Sequence, residues 1–284
     1  MIRVGVLGGG RMGGGIAHAF LLAGAEVVVV DQPQALDRAT GGIRRALDRS
    51  VELGATDRPA EQLLAALRVT DDPAALADRD LVIEAVPELP QLKADALALV
   101  ASLIRPDAVL ATNTSSLSID ELAAAVEHPQ RFLGLHFFNP VPSSQLVEVV
   151  RGAATSDAVV ATAQEWVRAL GKTPITVADS PGFASSRLGL VLALEAMRML
   201  EQGVASADDI DAAMTLGYRH ATGPLRTSDM VGLDVRLDIA EYMHARLGDR
   251  FAPPQLLRDM VAAGKLGRKS GEGFYVWTTG EDPR

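Results

Sequence analysis

The first thirty-one residues constrain the fold more than any other stretch. Residues 2–7 are a short β-branched run that leads into Gly8-Gly9-Gly10-Arg11-Met12-Gly13-Gly14-Gly15. Beyond it Ala19, Phe20, Leu22 and Ala23 recur at helical spacing, and a second β-branched run over residues 26–30 closes on Asp31. Strand, glycine turn, helix, strand and acid in that order form one βαβ unit. In a turn of the form G-x-G-x-x-G, Gly8 permits the sharp bend, Gly10 lets a ligand come close to the backbone, and Gly13 lets the helix pack on the strand. A pyrophosphate suits the free N–H groups at the helix start, so the whole turn, Arg11 and Met12 included, is expected to hold a dinucleotide. Asp31 stands eighteen residues after Gly13, where a carboxylate accepts hydrogen bonds from ribose hydroxyls and repels a 2′-phosphate. Gln32 and Pro33 follow with no adjoining arginine, and the expected cofactor is therefore NAD rather than NADP. An Asp that merely caps the next helix is the plainer alternative.

The alternation continues downstream. Residues 35–53 and 59–67 have helical patterns, Leu76 lies in another short helical piece, and residues 80–86 form an apolar strand ending at Pro87-Glu88. Residues 92–104 read as helix and 108–112 as strand with the polar end Asn113-Thr114-Ser115-Ser116, while Ser118-Ile119-Asp120-Glu121 is a capped helix start. Phe132, Leu133 and Leu135 then lead to His136. Strands alternating with helices define an α/β fold, a doubly wound parallel sheet of Rossmann type. Ligands lie at the C-terminal strand ends of such a sheet, which singles out residues 8–13, Asp31, Glu88, Asn113, Ser115 and His136.

After Pro140 the pattern predicts a strand at 146–150, a helix at 157–170 and a strand at 174–177, before Asp179-Ser180-Pro181-Gly182 interrupts it. Residues 184–202, 206–216, 228–247 and 254–263 are all helical. The expected organisation is a dinucleotide-binding domain over 1–180 and an all-α domain over 181–284, whose apolar surfaces suit pairing of two subunits.

Composition removes several function classes. A formal charge of -9, with Lys93, Lys172, Lys265 and Lys269 as the only lysines, argues against a nucleic-acid partner, which needs clustered cations. Cysteine is absent, so there is no disulfide framework, cysteine nucleophile or thiolate metal site, and no metal is expected. No apolar run reaches about 18 residues, and the N-terminus enters a strand without the pattern of a signal peptide. A cytoplasmic protein without a membrane segment is expected.

The stretch Gly134-Leu135-His136-Phe137-Phe138-Asn139-Pro140 places a histidine at a strand end and turns the chain directly after it. Imidazole is the side chain that exchanges a proton near neutral pH, so a histidine facing the crevice suits acid–base chemistry. A lone histidine is more commonly a satisfied core residue.

Taken together, several motifs resemble the short-form 3-hydroxyacyl-CoA dehydrogenase family, including bacterial 3-hydroxybutyryl-CoA dehydrogenases, over nearly the whole chain. They are the glycine turn through Ile16-Ala17, Ile83-Glu84-Ala85-Val86-Pro87-Glu88, Asn113-Thr114-Ser115-Ser116-Leu117, residues 134–142, Pro181-Gly182-Phe183, Gly223-Pro224-Leu225 with Gly232-Leu233-Asp234, and Gly271-Glu272-Gly273-Phe274-Tyr275. The resemblance implies oxidation of an L-3-hydroxyacyl thioester to the 3-oxoacyl thioester with NAD, or the reverse. It implies His136 as general base, Glu148 as its paired carboxylate and Ser115 as a bond to the substrate's reacting oxygen. The chemistry independently asks for a base whose far ring nitrogen is held by a carboxylate; an exposed edge-strand acid is the plainer reading of Glu148. Glu88, Lys93, Asn113, Asn139 and Lys269 match cofactor positions, with Asn139 also toward the substrate. A helix-surface salt bridge is the rival explanation for Lys93. His18, His128, His220 and His244 need no function.

The chain departs from the family pattern twice. Where relatives carry an Asn that helps hold the substrate, this chain has Ser186, whose hydroxyl is shorter and offers one donor instead of two; Ala221-Thr222 likewise replaces the usual Pro-Met. Relatives also place lysines for the coenzyme A phosphates in the segment that here reads Val51-Glu52-Leu53-Gly54-Ala55-Thr56, with only Arg44, Arg45, Arg49 and Arg58 nearby. Either those arginines substitute, or the carrier is an acyl carrier protein bearing a small polar acyl group, to which Ser185, Ser186 and Thr222 point. A sugar-acid dehydrogenase and a non-catalytic NAD-sensing protein are the further alternatives.

Overall fold

The structure, a computed structural model, describes residues 2–278. The chain divides into two compact units, Met1–Phe183 and Ala184–Arg284. The first holds an eight-stranded sheet of β1 (Arg3–Leu7), β2 (Glu26–Val30), β3 (Leu67–Thr70), β4 (Leu81–Glu84), β5 (Val109–Thr112), β6 (Phe132–Phe137), β7 (Leu146–Arg151) and β8 (Thr173–Ala178), in the order β3-β2-β1-β4-β5-β6-β7-β8. The strands from β3 through β6 pair in parallel, β7 returns antiparallel to β6, and β8 runs parallel to β7. The chain reverses its direction of travel across the sheet between β1 and β4, which opens a crevice at their C-terminal ends.

Period-two alternation explains why these strands read as continuous apolar runs. Val27 and Val29 pack with Ile16, Phe20, Ile43 and Leu47 on one face, whereas Val28 and Val30 pack with Leu76, Leu97 and Val100 on the other. Helices cover both faces, so these central positions are apolar on either side of the sheet. Each such side chain contributes about 1.5–3 kcal/mol on full burial.

Two expectations are corrected. The segment 59–67 is not wholly helical: the helix stops at Ala60–Leu64 and the chain enters β3, an edge strand that pairs with β2. Four residues of a half-buried edge carry too short a pattern to stand out beside the preceding helix. The helix expected over 228–247 is two, Pro224–Val231 and Leu233–Leu247, broken at Gly232 with φ +106°. Leu225, Leu233 and Ala240 all join one core, so the apolar pattern runs on where the backbone breaks.

The second unit is helical around Leu190, Leu194, Met197, Ile210, Leu225, Leu233 and Met243. Its last described segment is held by Asp229, which is wholly buried. Asp229 accepts hydrogen bonds from Phe274 N, Tyr275 N and Trp277 Nε1, each at 2.9 Å. Asp229→Ala strands these three donors and is expected to destabilise the unit by about 3 kcal/mol. A lower urea midpoint together with a solvent-shifted emission from Trp277, 8% exposed in the native chain, would register the loss.

Candidate active site

A cavity of about 1150 Å³ opens at the C-terminal ends of the first unit's strands. Gly8, Gly10, Arg11, Met12, Asp31, Glu88, Lys93, Asn113, Ser115, His136 and Asn139 line it, all of them residues expected at the site. Gly13 does not face it and does the packing work expected of it: a Cβ there would lie 1.8 Å from the Gly8 carbonyl oxygen. A Cβ on Gly10 would meet nothing within 4 Å. The helix Arg11–Leu22 begins at this opening with no side-chain cap and no acid in its first turn. Its unpaired N–H groups and dipole thus suit an anion, and the turn fits a pyrophosphate.

Asp31 is held by two backbone bonds, Gly9 N to Oδ2 and Gln32 N to Oδ1, both at 2.7 Å. Each carboxylate oxygen retains a free lone pair for a ribose hydroxyl. Arg38, which the sequence analysis does not single out, lines the same cavity. Seven residues after Asp31 and on a helix, it reaches this wall through a packing angle that spacing alone does not disclose.

A polar network runs from behind the wall, at Glu84, into it at Lys93, Glu88 and Ser115. Glu84 at the end of β4 is wholly buried; its Oε1 accepts from Lys93 Nζ and Val86 N, both at 2.7 Å, and its Oε2 from Thr112 Oγ1 at 2.6 Å. Lys93 is 1% exposed, so the helix-surface reading fails, because the Pro90–Leu103 helix turns this side chain inward onto two carboxylates. Glu88 accepts from Thr114 Oγ1 at 2.5 Å, Ser115 N at 2.9 Å and Ser115 Oγ at 3.3 Å. Burial works to raise the Glu88 carboxyl, but the Lys93 charge and these bonds outweigh it and hold it below the usual carboxylate range. Glu84 is a site residue beyond those expected, although a charged side chain inside an otherwise apolar strand is itself a signal.

His136 and Glu148 face each other across β6 and β7 as a direct cross-strand pair. Directly opposed residues on an antiparallel pair project from the same face, and His136 Nδ1 lies 2.7 Å from Glu148 Oε2. Glu148 is wholly buried, so it is not an exposed edge acid, because β8 covers what would have been the sheet edge. With an ionised carboxylate as acceptor, Nδ1 carries the proton and Nε2 keeps its lone pair. Phe138 packs on the ring at a centroid distance of 4.4 Å and Phe183 at 5.8 Å. Asn113 Oδ1 accepts from Phe137 N at 2.9 Å and ties the end of β5 to the strand that carries His136.

Ser186 and Lys269 belong to the second unit. Ser186 stands in the first turn of Ser185–Glu201, and the Lys269 ammonium is ion-paired with Asp234. Of the arginines near Gly54, Arg44 pairs with Glu61 at 2.5 Å, Arg49 pairs with Glu52 at 3.0 Å, and Arg58 donates to the Leu21 and Leu22 carbonyls.

The family model for the 3-hydroxyacyl-CoA dehydrogenase NAD binding domain matches residues 3–180, and that for the 3-hydroxyacyl-CoA dehydrogenase C-terminal domain matches residues 182–277. The chain is 45% identical to a probable 3-hydroxybutyryl-CoA dehydrogenase of Deinococcus radiodurans, over 97% of this chain and 100% of that one. It is likewise 45% identical to a 3-hydroxybutyryl-CoA dehydrogenase of Mycobacterium tuberculosis, over 97% and 98%. The crystal structure of an (S)-3-hydroxybutyryl-CoA dehydrogenase from Ralstonia eutropha superposes with a TM-score of 0.94 at 40% identity, covering 98% of this chain and 100% of that one.

Proposed function

The chain belongs to the 3-hydroxyacyl-CoA dehydrogenase family, and from that premise we propose that it interconverts an (S)-3-hydroxyacyl-CoA and the 3-oxoacyl-CoA, with His136 handling the proton. NAD, for which this family's first domain is named, supplies the hydride acceptor when bound. The glycine turn and the start of Arg11–Leu22 hold its pyrophosphate, and Asp31 takes the ribose hydroxyls. Oxidising the C3 alcohol requires the hydroxyl proton to leave as the hydride leaves. His136 accepts that proton at Nε2, and Glu148 fixes the ring and stabilises the imidazolium that results. Ser115, whose backbone N–H is held by Glu88 at 2.9 Å, turns its hydroxyl from the longer 3.3 Å contact with Glu88 to donate to the reacting oxygen. The observation that carries this reading is the buried His136–Glu148 bond of 2.7 Å in the wall of the cavity.

Coenzyme A thioesters are the substrates for which the relatives are named, and the four-carbon acyl group is the first to test. Mixing the protein with (S)-3-hydroxybutyryl-CoA and NAD is expected to generate NADH fluorescence, with kcat/KM for NADP lower by at least about tenfold because Asp31 repels the 2′-phosphate. Absence of NADH formation from any 3-hydroxyacyl-CoA would overturn the assignment. The readings on an acyl carrier protein or a free sugar acid find no support among these relatives. A homodimer through the helical unit forms part of the proposal: Leu188 and Leu192, 62% and 41% exposed, lie one turn apart on Ser185–Glu201, and light scattering would give the mass. No helix among the described residues is long and apolar enough to cross a membrane.

A further inference from the structure

We infer that Glu84, which lies behind the cavity wall, biases the protein toward the oxidised form of its coenzyme through a charge cluster with the buried Lys93 and the cavity-facing Glu88. The inference rests on the reading that a nicotinamide coenzyme occupies this cavity and deepens it by naming a residue that sets redox preference.

Lys93 joins the two carboxylates. An ammonium has three donors, and its Nζ lies 2.7 Å from Glu84 Oε1, 3.2 Å from the Val86 carbonyl oxygen and 3.2 Å from Glu88 Oε2. At 1% exposure, with every donor engaged, Lys93 is tied to these partners at the edge of the cavity that it lines. It is the counter-ion of two carboxylates, Glu84 behind the wall and Glu88 in it.

Two carboxylates against one ammonium leave the cluster with one net negative charge. Nothing in the stability of the fold asks for it, since a buried ion pair adds little over apolar side chains of the same volume. Its connections run toward the site instead. Glu84 Oε2 takes the Thr112 hydroxyl, whose oxygen in turn accepts from Thr114 N at 3.2 Å. Glu88 takes the Thr114 hydroxyl and both the N–H and the hydroxyl of Ser115. The excess charge therefore sits against the segment that presents Ser115, in the wall shared with His136.

The nicotinamide ring is cationic when oxidised and neutral when reduced. A fixed negative charge behind the wall stabilises the first and leaves the second nearly unaffected. Glu84 is thus a positioning residue for Lys93 and Thr112, and its charge acts on the coenzyme without contact.

Titration of the coenzyme-free protein with NAD and with NADH, each followed by calorimetry, separates this from a structural role. Glu84→Gln is isosteric; its amide oxygen keeps Lys93 and its amide nitrogen donates to Thr112 Oγ1. The expected result is a Kd for NAD raised roughly fivefold, as for one unit charge in a half-buried wall, with the Kd for NADH changed less than about twofold. Equal weakening of both forms would mark Glu84 as a structural pin and overturn the inference, as would two unchanged constants. Should Glu84→Gln fail to fold by circular dichroism, Glu88→Gln removes the same charge and must shift the ratio of the two constants in the same direction. A wild-type protein that binds neither form would overturn the proposed function along with this inference. An unchanged ratio in a protein that binds both would overturn the inference alone.

Discussion

His136→Gln is expected to lower kcat by two or more orders of magnitude, the range of a lost general base, while NADH binding stays near wild type. The glutamine amide can still donate to Glu148 Oε2, which the native ring nitrogen approaches to 2.7 Å, so the buried carboxylate is not abandoned and the fold survives. What is lost is the Nε2 lone pair, which an amide nitrogen cannot replace. Stopped-flow turnover and NADH fluorescence titration on one preparation give the two numbers. Near-normal turnover would remove His136 from the chemistry.

The second large effect is expected at Glu148. Glu148→Gln preserves volume in a fully buried site, and its amide can turn either way. With the amide nitrogen toward Nδ1, the ring must carry its proton on Nε2 and cannot accept another. With the amide oxygen toward Nδ1, the tautomer is right but no charge stabilises the imidazolium. Both orientations slow the chemical step, by about 10²–10⁴-fold in kcat, while KM should stay within a few fold. Because the two residues act as one unit, the double variant is expected to be little slower than His136→Gln alone. Additive losses in single-turnover measurements would show that Glu148 serves something other than the imidazole.

The βαβ opening was legible in the chain because each of its signals is local. Residues 2–7, the glycine turn and Asp31 lie within thirty-one residues, and strand and helix periods follow from geometry that near neighbours set. The cavity accordingly receives the expected glycine turn, Asp31, Ser115, His136 and Asn139. Where the local pattern was short or continuous it misled. The four residues of β3 were absorbed into a helix, and the break at Gly232 was hidden because the apolar pattern runs through it.

The partners of the charged residues were decided by tertiary structure. Sequence offers Lys93 several carboxylates within a helix turn or two, and only the packing of Pro90–Leu103 against β4 turns it from the surface to Glu84 and Glu88. His136 and Glu148 are separated by twelve residues, a spacing that says nothing about contact until β7 returns antiparallel and the register sets one opposite the other. A shift of that register by one residue would send Glu148 to the other face of the sheet. Near neighbours in the chain set the glycine turn, the longer apolar strands and the residue types at their ends. Which carboxylate meets the imidazole, and which meets the ammonium, was decided by pairing and packing between distant segments, where burial makes an unpartnered charge too costly to leave.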